Sequence, residues 1–97
     1  MKYNYYKVDG TKEIIESPAP LELTELQELV GGYIEAVHLK NGNTLFINEE
    51  GFLHNLPENP HFTEADVFVD LSHSGGRLLG NVIEGREDCD GEFNGVE

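Results

Sequence analysis

Apolar and polar positions alternate most clearly over residues 33–51, where two runs rich in Ile, Val, Leu and Phe flank Asn41 and Gly42. Both turn residues tolerate the positive φ that a type I′ turn requires, so the pattern predicts a β-hairpin closed by a two-residue loop. The loop length fixes the register and places Glu35 opposite Asn48. Because a single hairpin is only marginally stable in water, we expect further strands and at least one covering helix.

A second pattern, over residues 24–30, is helical. Apolar residues recur there at helical spacing, and Thr24 with Gln27 matches a capping box. Two glycines follow and end the helix, and the first of them, Gly31, suits the left-handed position after a helix. Because the link to the next strand is so short, we expect the helix to pack closely on the hairpin.

Three other segments are predicted to be strands. Residues 2–8 and 12–16 form a hairpin around a turn at residues 9–10. Residues 77–84 form the last strand, in which Gly80 indicates a bulge or the close approach of another part of the backbone.

Segment 63–71 leaves two alternatives open. Thr63 and Asp66 have the spacing of a helix start, but the β-branched content also fits a short strand over residues 67–71. Residues 72–76 are predicted to be a loop.

Together these elements indicate an α+β fold, with a small antiparallel sheet of four to five strands and one or two short helices packed on one face. The length of 97 residues fits one domain. We expect the compact domain to cover residues 1–85, because residues 86–97 are acidic, contain glycine and have few apolar side chains. Such a composition is typical of a mobile tail.

The charge of the chain is strongly one-sided. The net charge is −13 at pH 7, and residues 1–20 are neutral, so the whole excess arises after residue 20. An acidic surface repels phosphate backbones and anionic lipids, so we expect neither direct nucleic-acid binding nor membrane binding. Two interpretations remain: the acidity promotes solubility, or the surface imitates nucleic acid and occupies a basic groove on another protein.

Residues with reactive side chains do not form a catalytic or metal-binding motif. Cys89 is the single cysteine, which excludes an intramolecular disulfide and fits a cytoplasmic protein. The start of the chain lacks the apolar core of a signal peptide, and no apolar run approaches the ~20 residues of a membrane helix. The histidines, His38, His54, His61 and His73, lack ligand spacing, and no serine lies in a nucleophile motif. We therefore expect no metal, no cofactor and no enzymatic activity.

The feature that looks most like a binding site is Glu35 with Asn48, flanked by Glu49 and Glu50. A carboxylate beside an amide on a half-apolar sheet suits a ligand that carries hydrogen-bond donors, or a cationic side chain. The alternative is structural: Glu35 lies at the solvated rim of the sheet, or is satisfied by Tyr33 or by a helix end.

Four short motifs follow one another along the chain: LQELVGGYIE at 26–35, NEEG at 48–51, LPEN at 56–59 and GNVI at 80–83. In this order they resemble a family of small proteins from phages and mobile elements that is catalogued as domain of unknown function 3846, over about residues 20–84. The resemblance implies a compact α+β domain centred on the joint from helix through paired glycines to strand. It implies no established activity, and the chain departs from the family pattern at both ends.

Positions marked in that family fall here on Gln27, Gly31, Gly32, Tyr33, Glu35, Asn48, Glu49, Gly51 and Asn59. The candidate ligand-binding residues are its polar and aromatic members: Gln27, Tyr33, Glu35, Asn48, Glu49 and Asn59. If these side chains converge, they form one polar pocket beside the end of the helix.

The sequence favours a non-catalytic accessory protein of a phage or mobile element that binds another protein through its acidic surface, by imitating nucleic acid or in an anti-defence role. A rival prediction is a small-ligand binding protein, for a nucleotide-like signal. A third is a structural piece of a larger assembly. An unpaired edge strand would allow a homodimer.

Overall fold

The computed structural model describes residues 1–68, 71 and 76–96. Within these residues the strands are β1 Lys2–Tyr6, β2 Lys12–Glu16, β3 Ile34–His38, β4 Thr44–Asn48, β5 Glu58–Thr63, β6 Arg77–Leu79, β7 Val82–Glu87 and β8 Phe93–Asn94. One α-helix, α1 Leu23–Val30, joins β2 to β3, and one turn of 3-10 helix, Glu64–Asp66, follows β5.

The main sheet is antiparallel and contains six strands. Five lie in the order β2-β1-β7-β4-β3, and β8 pairs with β7. The chain crosses from the edge strand β2 to the opposite edge strand β3 through α1, while β5 and β6 form a separate two-stranded sheet. The α+β class is therefore confirmed, but the sheet is larger than the predicted four to five strands.

Two apolar clusters are buried among the described residues. One lies beneath α1 and contains Tyr3, Tyr5, Leu21, Leu26, Ile83 and Phe93. The other includes β6 and contains Val37, Leu39, Leu45, Ile47, Val67, Leu71, Leu78 and Val82. Because successive strand residues point to opposite faces, the adjacent residues Val82 and Ile83 of β7 enter different clusters.

The β3–β4 hairpin forms as predicted, but three residues make its loop instead of two. The Leu39 N–H donates to the Asn43 carbonyl at 2.9 Å, and the Gly42 N–H donates to the Leu39 carbonyl at 3.1 Å. Gly42 has a φ of +94°, whereas Asn41 lacks the positive φ that a type I′ turn requires of both central residues. The Asn41 side chain instead accepts a hydrogen bond from the Asn43 N–H at 2.9 Å, which stabilises the longer turn.

This longer turn shifts the register by one residue. Glu35 lies opposite Ile47, and Asn48 lies opposite Ile34. The predicted pairing of Glu35 with Asn48 is therefore wrong. Because side chains alternate across a sheet, these two residues lie on opposite faces.

The predicted helix and its glycine stop are confirmed, but the helix begins earlier than the predicted cap. Gly31 adopts the left-handed conformation with φ 82° and ψ 21°. The N-cap is Glu22, whose N–H donates to Glu25 Oε1 at 3.3 Å, so Thr24 lies inside the first turn. The Leu21 N–H donates to a buried tyrosine hydroxyl at 3.2 Å, which fixes the chain just before this start.

Gly80 divides the predicted strand 77–84 into two. It has a φ of +82°, and its N–H donates to the Pro57 carbonyl at 2.7 Å. A Cβ there would lie 2.9 Å from Leu56 Cδ1. The chain therefore turns sharply at this glycine, leaves the small sheet as β6 and enters the centre of the main sheet as β7.

The predicted helix start at Thr63 forms only the single 3-10 turn. Asp66 Oδ2 accepts a hydrogen bond from the Thr63 N–H at 2.9 Å, but Val67 is already extended. Residues 69–70 and 72–75, which include part of the alternative strand 67–71 and most of the predicted loop after it, lie outside the described residues.

The compact unit does not end at residue 85, as predicted, but includes residues 86–96. Phe93 is 5% exposed, and its carbonyl accepts a hydrogen bond from the Tyr3 hydroxyl at 2.7 Å. Its ring lies over Gly85, where a Cβ would be 2.7 Å from Phe93 Cε1. One aromatic side chain seated on one glycine thus holds an acidic, apolar-poor segment against the sheet.

Candidate functional site

A cavity of about 210 Å³ lies at the C-terminal end of α1. Its lining residues are Gln27, Gly31, Gly32, Tyr33, Asn48, Glu50 and His54. They come from two segments, because the helix ends beside β3 while the paired strand β4 ends beside the same point. The segment that leaves the helix therefore meets the segment that leaves β4.

Asn48 forms the inner wall of this cavity. It is 5% exposed, its Nδ2 donates to the Val30 carbonyl at 3.2 Å, and its Oδ1 accepts from the Glu50 N–H at 2.8 Å. A Cβ on Gly32 would lie 2.9 Å from Asn48 Nδ2, so only glycine leaves room for this side chain. The second glycine of the pair thus serves the site, whereas the first ends the helix.

The backbone donors at the helix end are already used. The N–H groups of Gly31 and Gly32 both donate to the Gln27 carbonyl, at 2.8 and 3.0 Å. The cavity is therefore not a nest of free N–H groups that would bind an anion.

Side chains of Gln27, Tyr33, Glu50 and His54 give the cavity its chemistry. The Glu50 carboxylate lies 4.0 Å from His54 Nε2, and the Tyr33 side chain is largely exposed. No described lysine or arginine lines the cavity, and none lies in the last turn of the helix. Since a helix C-terminus carries partial negative charge, the local electrostatics favour a cationic group.

Of the predicted ligand-binding residues, half line this cavity: Gln27, Tyr33 and Asn48. Glu35 does not, because the shifted register turns it to the other face of the sheet, where it is exposed. Glu49 is exposed and lies outside the lining. Asn59 is buried elsewhere, where its Nδ2 donates to the Tyr6 and Gly80 carbonyls at 3.1 and 3.0 Å. The six residues therefore do not converge into one pocket.

His54 was not predicted as a member of the site, and Glu50 was named only as a flanking residue of the predicted feature. The signal was the spacing of four residues between a carboxylate and an imidazole, which one helical turn places side by side. Residues 50–54 do make such a turn, since the His54 N–H donates to the Glu50 carbonyl at 3.0 Å.

A second polar cluster surrounds Glu84, which is 4% exposed in the centre of the sheet. Its Oε1 accepts hydrogen bonds from Asn4 Nδ2 and the Tyr6 hydroxyl, both at 2.9 Å. Its Oε2 accepts from Asn43 Nδ2 at 2.9 Å and from Asn41 Nδ2 at 3.5 Å. The carboxylate therefore ties the β3–β4 turn to β1 through neutral donors.

Electrostatics of this cluster indicate a structural role. Burial pushes the pKa of Glu84 upward, but the four hydrogen bonds together outweigh it and hold the pKa below the usual range. Burial, followed by the hydrogen bond to Glu84, raises the pKa of Tyr6 to about 12. A carboxylate with a lowered pKa is a weak proton acceptor and a tyrosine with a raised pKa is a weak proton donor, so the pair suits a fixed network better than acid–base catalysis.

Neither a metal-binding cluster nor a membrane-spanning helix is found among the described residues. No group of three or more His, Cys, Asp or Glu side chains in that part of the chain is placed to hold a metal ion. No helix among residues 1–68, 71 and 76–96 has the length and apolarity needed to cross a membrane.

Fold and cavity together define a small α+β domain, built on an antiparallel sheet, with a polar cavity at the end of its crossover helix. The model of the family "Domain of unknown function (DUF3846)" matches residues 1–96, and the chain belongs to that family. The resemblance noted in the sequence is thus confirmed, and the match extends over nearly the whole chain. No curated protein and no solved structure matches the chain.

Proposed function

We propose that this protein is a non-catalytic binding protein that docks against a basic surface of another protein. The docking surface, here named the helix-end patch, comprises Tyr33, Glu49, Glu50, Phe52, Leu53 and His54. The phage or mobile-element role, the mimicry of nucleic acid and the cytosolic location are predictions from the sequence that belong to this proposal.

The observation that carries the proposal is a group of large apolar side chains exposed beside the cavity. Tyr33 is 65% exposed, Phe52 56% and Leu53 75%. They lie on two segments that meet, since the Tyr33 carbonyl accepts a hydrogen bond at 2.8 Å from the N–H of Glu49, three residues before Phe52. Exposed aromatic and aliphatic side chains with a polar rim are typical of protein–protein interfaces.

Charge supports a basic partner. Except for the buried Glu84 and the half-buried Glu50, every described Asp and Glu is exposed. Among the described residues, Lys or Arg pairs with Glu13, Glu16 and Glu58, which leaves the carboxylates of the helix-end patch without a permanent cation. An uncompensated acidic rim accelerates encounter with a basic surface and disfavours acidic partners.

The second candidate function, binding of a small ligand, is favoured by one observation: Gln27, Tyr33 and Asn48 do line a single cavity. The cavity lacks a described Lys or Arg, which disfavours phosphate-bearing ligands. Thermal unfolding in the presence of a nucleotide panel tests this candidate, because a ligand at a hundredfold its dissociation constant adds ~2.7 kcal/mol. An absence of any shift would remove it.

The docking surface is tested by site-specific photo-crosslinking. A photoreactive phenylalanine analogue is placed at position 53 in the patch, and at position 14 as the control, because Ile14 is 51% exposed on the edge strand β2. A protein captured from extracts of the source cells at position 53 but not at position 14 is then purified, and its affinity is measured by calorimetry.

We expect this affinity to fall as salt is added, because the exposed charges are screened. The double substitution Tyr33→Ala and Leu53→Ala should weaken binding by about tenfold or more, as loss of a central apolar anchor does, while Ile14→Ala should leave it within about twofold. Equal capture at both positions, or affinity that is insensitive to salt and to the double substitution, would overturn the proposal.

A further inference from the structure

The cavity at the end of α1 has a size that fits a single side chain. Its volume of about 210 Å³ is below the ~300–1,000 Å³ of pockets that enclose a drug-sized ligand. It opens next to Tyr33, which also belongs to the helix-end patch. A partner that covers the patch would therefore place one of its own side chains over the opening.

The carboxylate in the lining, Glu50, offers acceptors and negative charge. Both polar atoms of the Asn48 side chain already have a partner, the Val30 carbonyl and the Glu50 N–H, and the glycine N–H groups are bonded to the Gln27 backbone carbonyl. The Glu50 carboxylate, by contrast, has only His54 beside it among the described ion pairs, at 4.0 Å. Such a site has acceptor capacity and negative charge to offer, so its occupant should carry several donors and a positive charge.

Tyr33 adds a flat wall to these acceptors. The residue is 65% exposed and lines the cavity together with Gln27 and Glu50. A guanidinium group is planar, stacks on aromatic faces and presents five N–H donors in a fixed fork that matches a carboxylate. An ammonium group has three donors and no plane to stack, so it uses the same wall less well.

We propose that this cavity receives the guanidinium group of an arginine side chain from the protein partner, with Glu50 as the paired carboxylate and Tyr33 as the stacking surface. The inference rests on the proposed function, which it deepens by naming the side chain that anchors the partner. Gln27 supplies an additional acceptor, its side-chain carbonyl. Asn48, held by its two hydrogen bonds, keeps the cavity open before binding.

A pentapeptide with one central arginine between glycines, capped at both ends, is a direct probe. It is titrated into the ¹⁵N-labelled protein while amide signals are followed by NMR. We expect saturable shifts of the Gly31, Gly32 and Glu50 signals. The same peptide with citrulline, the neutral analogue of arginine, should give no saturable shift, and the lysine peptide should bind at least about threefold more weakly.

Glu50→Gln removes the carboxylate from the cavity. Its matched control is Glu28→Gln, which makes the same charge change at an exposed position of α1 that belongs neither to the lining nor to the helix-end patch. Glu50→Gln should weaken binding of the arginine peptide about tenfold, as loss of a charge-assisted hydrogen bond does. Glu28→Gln should stay within about twofold. Thermal unfolding of both variants checks that the fold is intact. Equal effects of the two substitutions, or equal binding of the citrulline peptide, would overturn the inference.

The two proposals fail separately. If the arginine peptide does not bind at the cavity, but substitution of Tyr33 and Leu53 abolishes binding of the captured protein, the inference is wrong and the proposed docking surface is supported. If the peptide binds and depends on Glu50, but crosslinking at position 53 captures no more than at position 14, the cavity binds arginine and the proposed docking function is wrong.

Discussion

Replacing Glu84 by glutamine is expected to destabilise the fold substantially, although the two side chains have nearly the same shape. The carboxylate accepts hydrogen bonds at 2.9 Å from Asn4, Tyr6 and Asn43. In the variant, one carboxylate oxygen becomes an NH₂ group and the negative charge is lost. The bonds that remain become neutral, and one donor faces another donor.

The magnitude follows from these bonds. A hydrogen bond to a charged group contributes about 1.5–3 kcal/mol, and a neutral one about 0.5–1.5 kcal/mol. The bonds from Asn4 and Tyr6 become neutral and therefore lose about 1 kcal/mol each. The bond from Asn43 is blocked by the new NH₂ group, and its loss also costs about 1 kcal/mol, because the half-buried Asn43 amide can bind water instead. Relief of the burial cost of the charge returns part of the sum. We expect Glu84→Gln to lower the free energy of unfolding by about 2–3 kcal/mol, or the Tm by about 10–20 °C.

Chemical denaturation followed by far-UV circular dichroism measures this loss, since the chain has no tryptophan. The control is Glu87→Gln, which makes the same change at an exposed position of the same strand and should alter the free energy of unfolding by less than about 0.5 kcal/mol. If Glu84→Gln and Glu87→Gln have equal stability, the carboxylate is not the tie between the β3–β4 turn and β1.

The pH dependence gives an independent check with a definite sign. The pKa of Glu84 lies below its ordinary value of 4.5 in the folded protein. The stabilisation is therefore fully present above pH 4.5 and is lost as the pH falls through the lower folded-state value. The stability difference between the wild type and Glu84→Gln should shrink on acidification below pH 4.5. A difference that stays constant down to pH 2 would refute the assignment of the effect to the carboxylate.

Two other substitutions test the fold and the wall of the cavity. Phe93→Ala should cost about 3–5 kcal/mol of unfolding free energy by denaturant titration, because the ring is buried on Gly85 and beside Tyr3; a cost below about 1 kcal/mol would mean that residues 86–96 do not belong to the core. Gly32→Ala should cost about 1–3 kcal/mol, because the new methyl group displaces Asn48 from its hydrogen bond. A double-mutant cycle with Asn48→Ala should show that the two losses are not additive, and full additivity would contradict the contact.

Elements that depend on neighbouring residues could be predicted from the sequence. The helix, its stop at Gly31, both early strands and the β3–β4 hairpin each carry a local signal of spacing or turn chemistry. The predicted hairpin loop was one residue too short, and this small error changed the register of the whole hairpin. Asn41-Gly42 fits both a two-residue and a three-residue loop. The Asn41 side chain favours the three-residue loop through its bond to Asn43. This loop places Glu35 on the face of the sheet opposite to Asn48.

Long-range packing could not be predicted in this way. β7 lies between β1 and β4 in the sheet although it comes late in the chain. The sequence alone predicts an exposed side chain for Glu84, because the donors that surround it come from distant parts of the chain. Likewise, residues 86–96 have the composition of a tail, and only the fit of Phe93 on Gly85 places them in the core. Asn59 was predicted to bind a ligand because it falls on a position marked in the family, and the sequence does not distinguish a binding amide from a buried structural one.

The cavity at the helix end combines a rigid wall with an exposed rim, and this division explains why a binding role is the stronger interpretation. Asn48 is buried and bonded to both the helix end and the chain after β4, so the wall is fixed before any partner arrives. Tyr33 and Leu53 remain exposed at the rim, although burying their apolar area within the domain would stabilise the domain. A preformed wall lowers the ordering cost of association, and an exposed apolar rim gains free energy only when a partner covers it. The wall also stabilises the isolated domain through the Asn48 hydrogen bonds, but the exposed apolar rim has no evident benefit there.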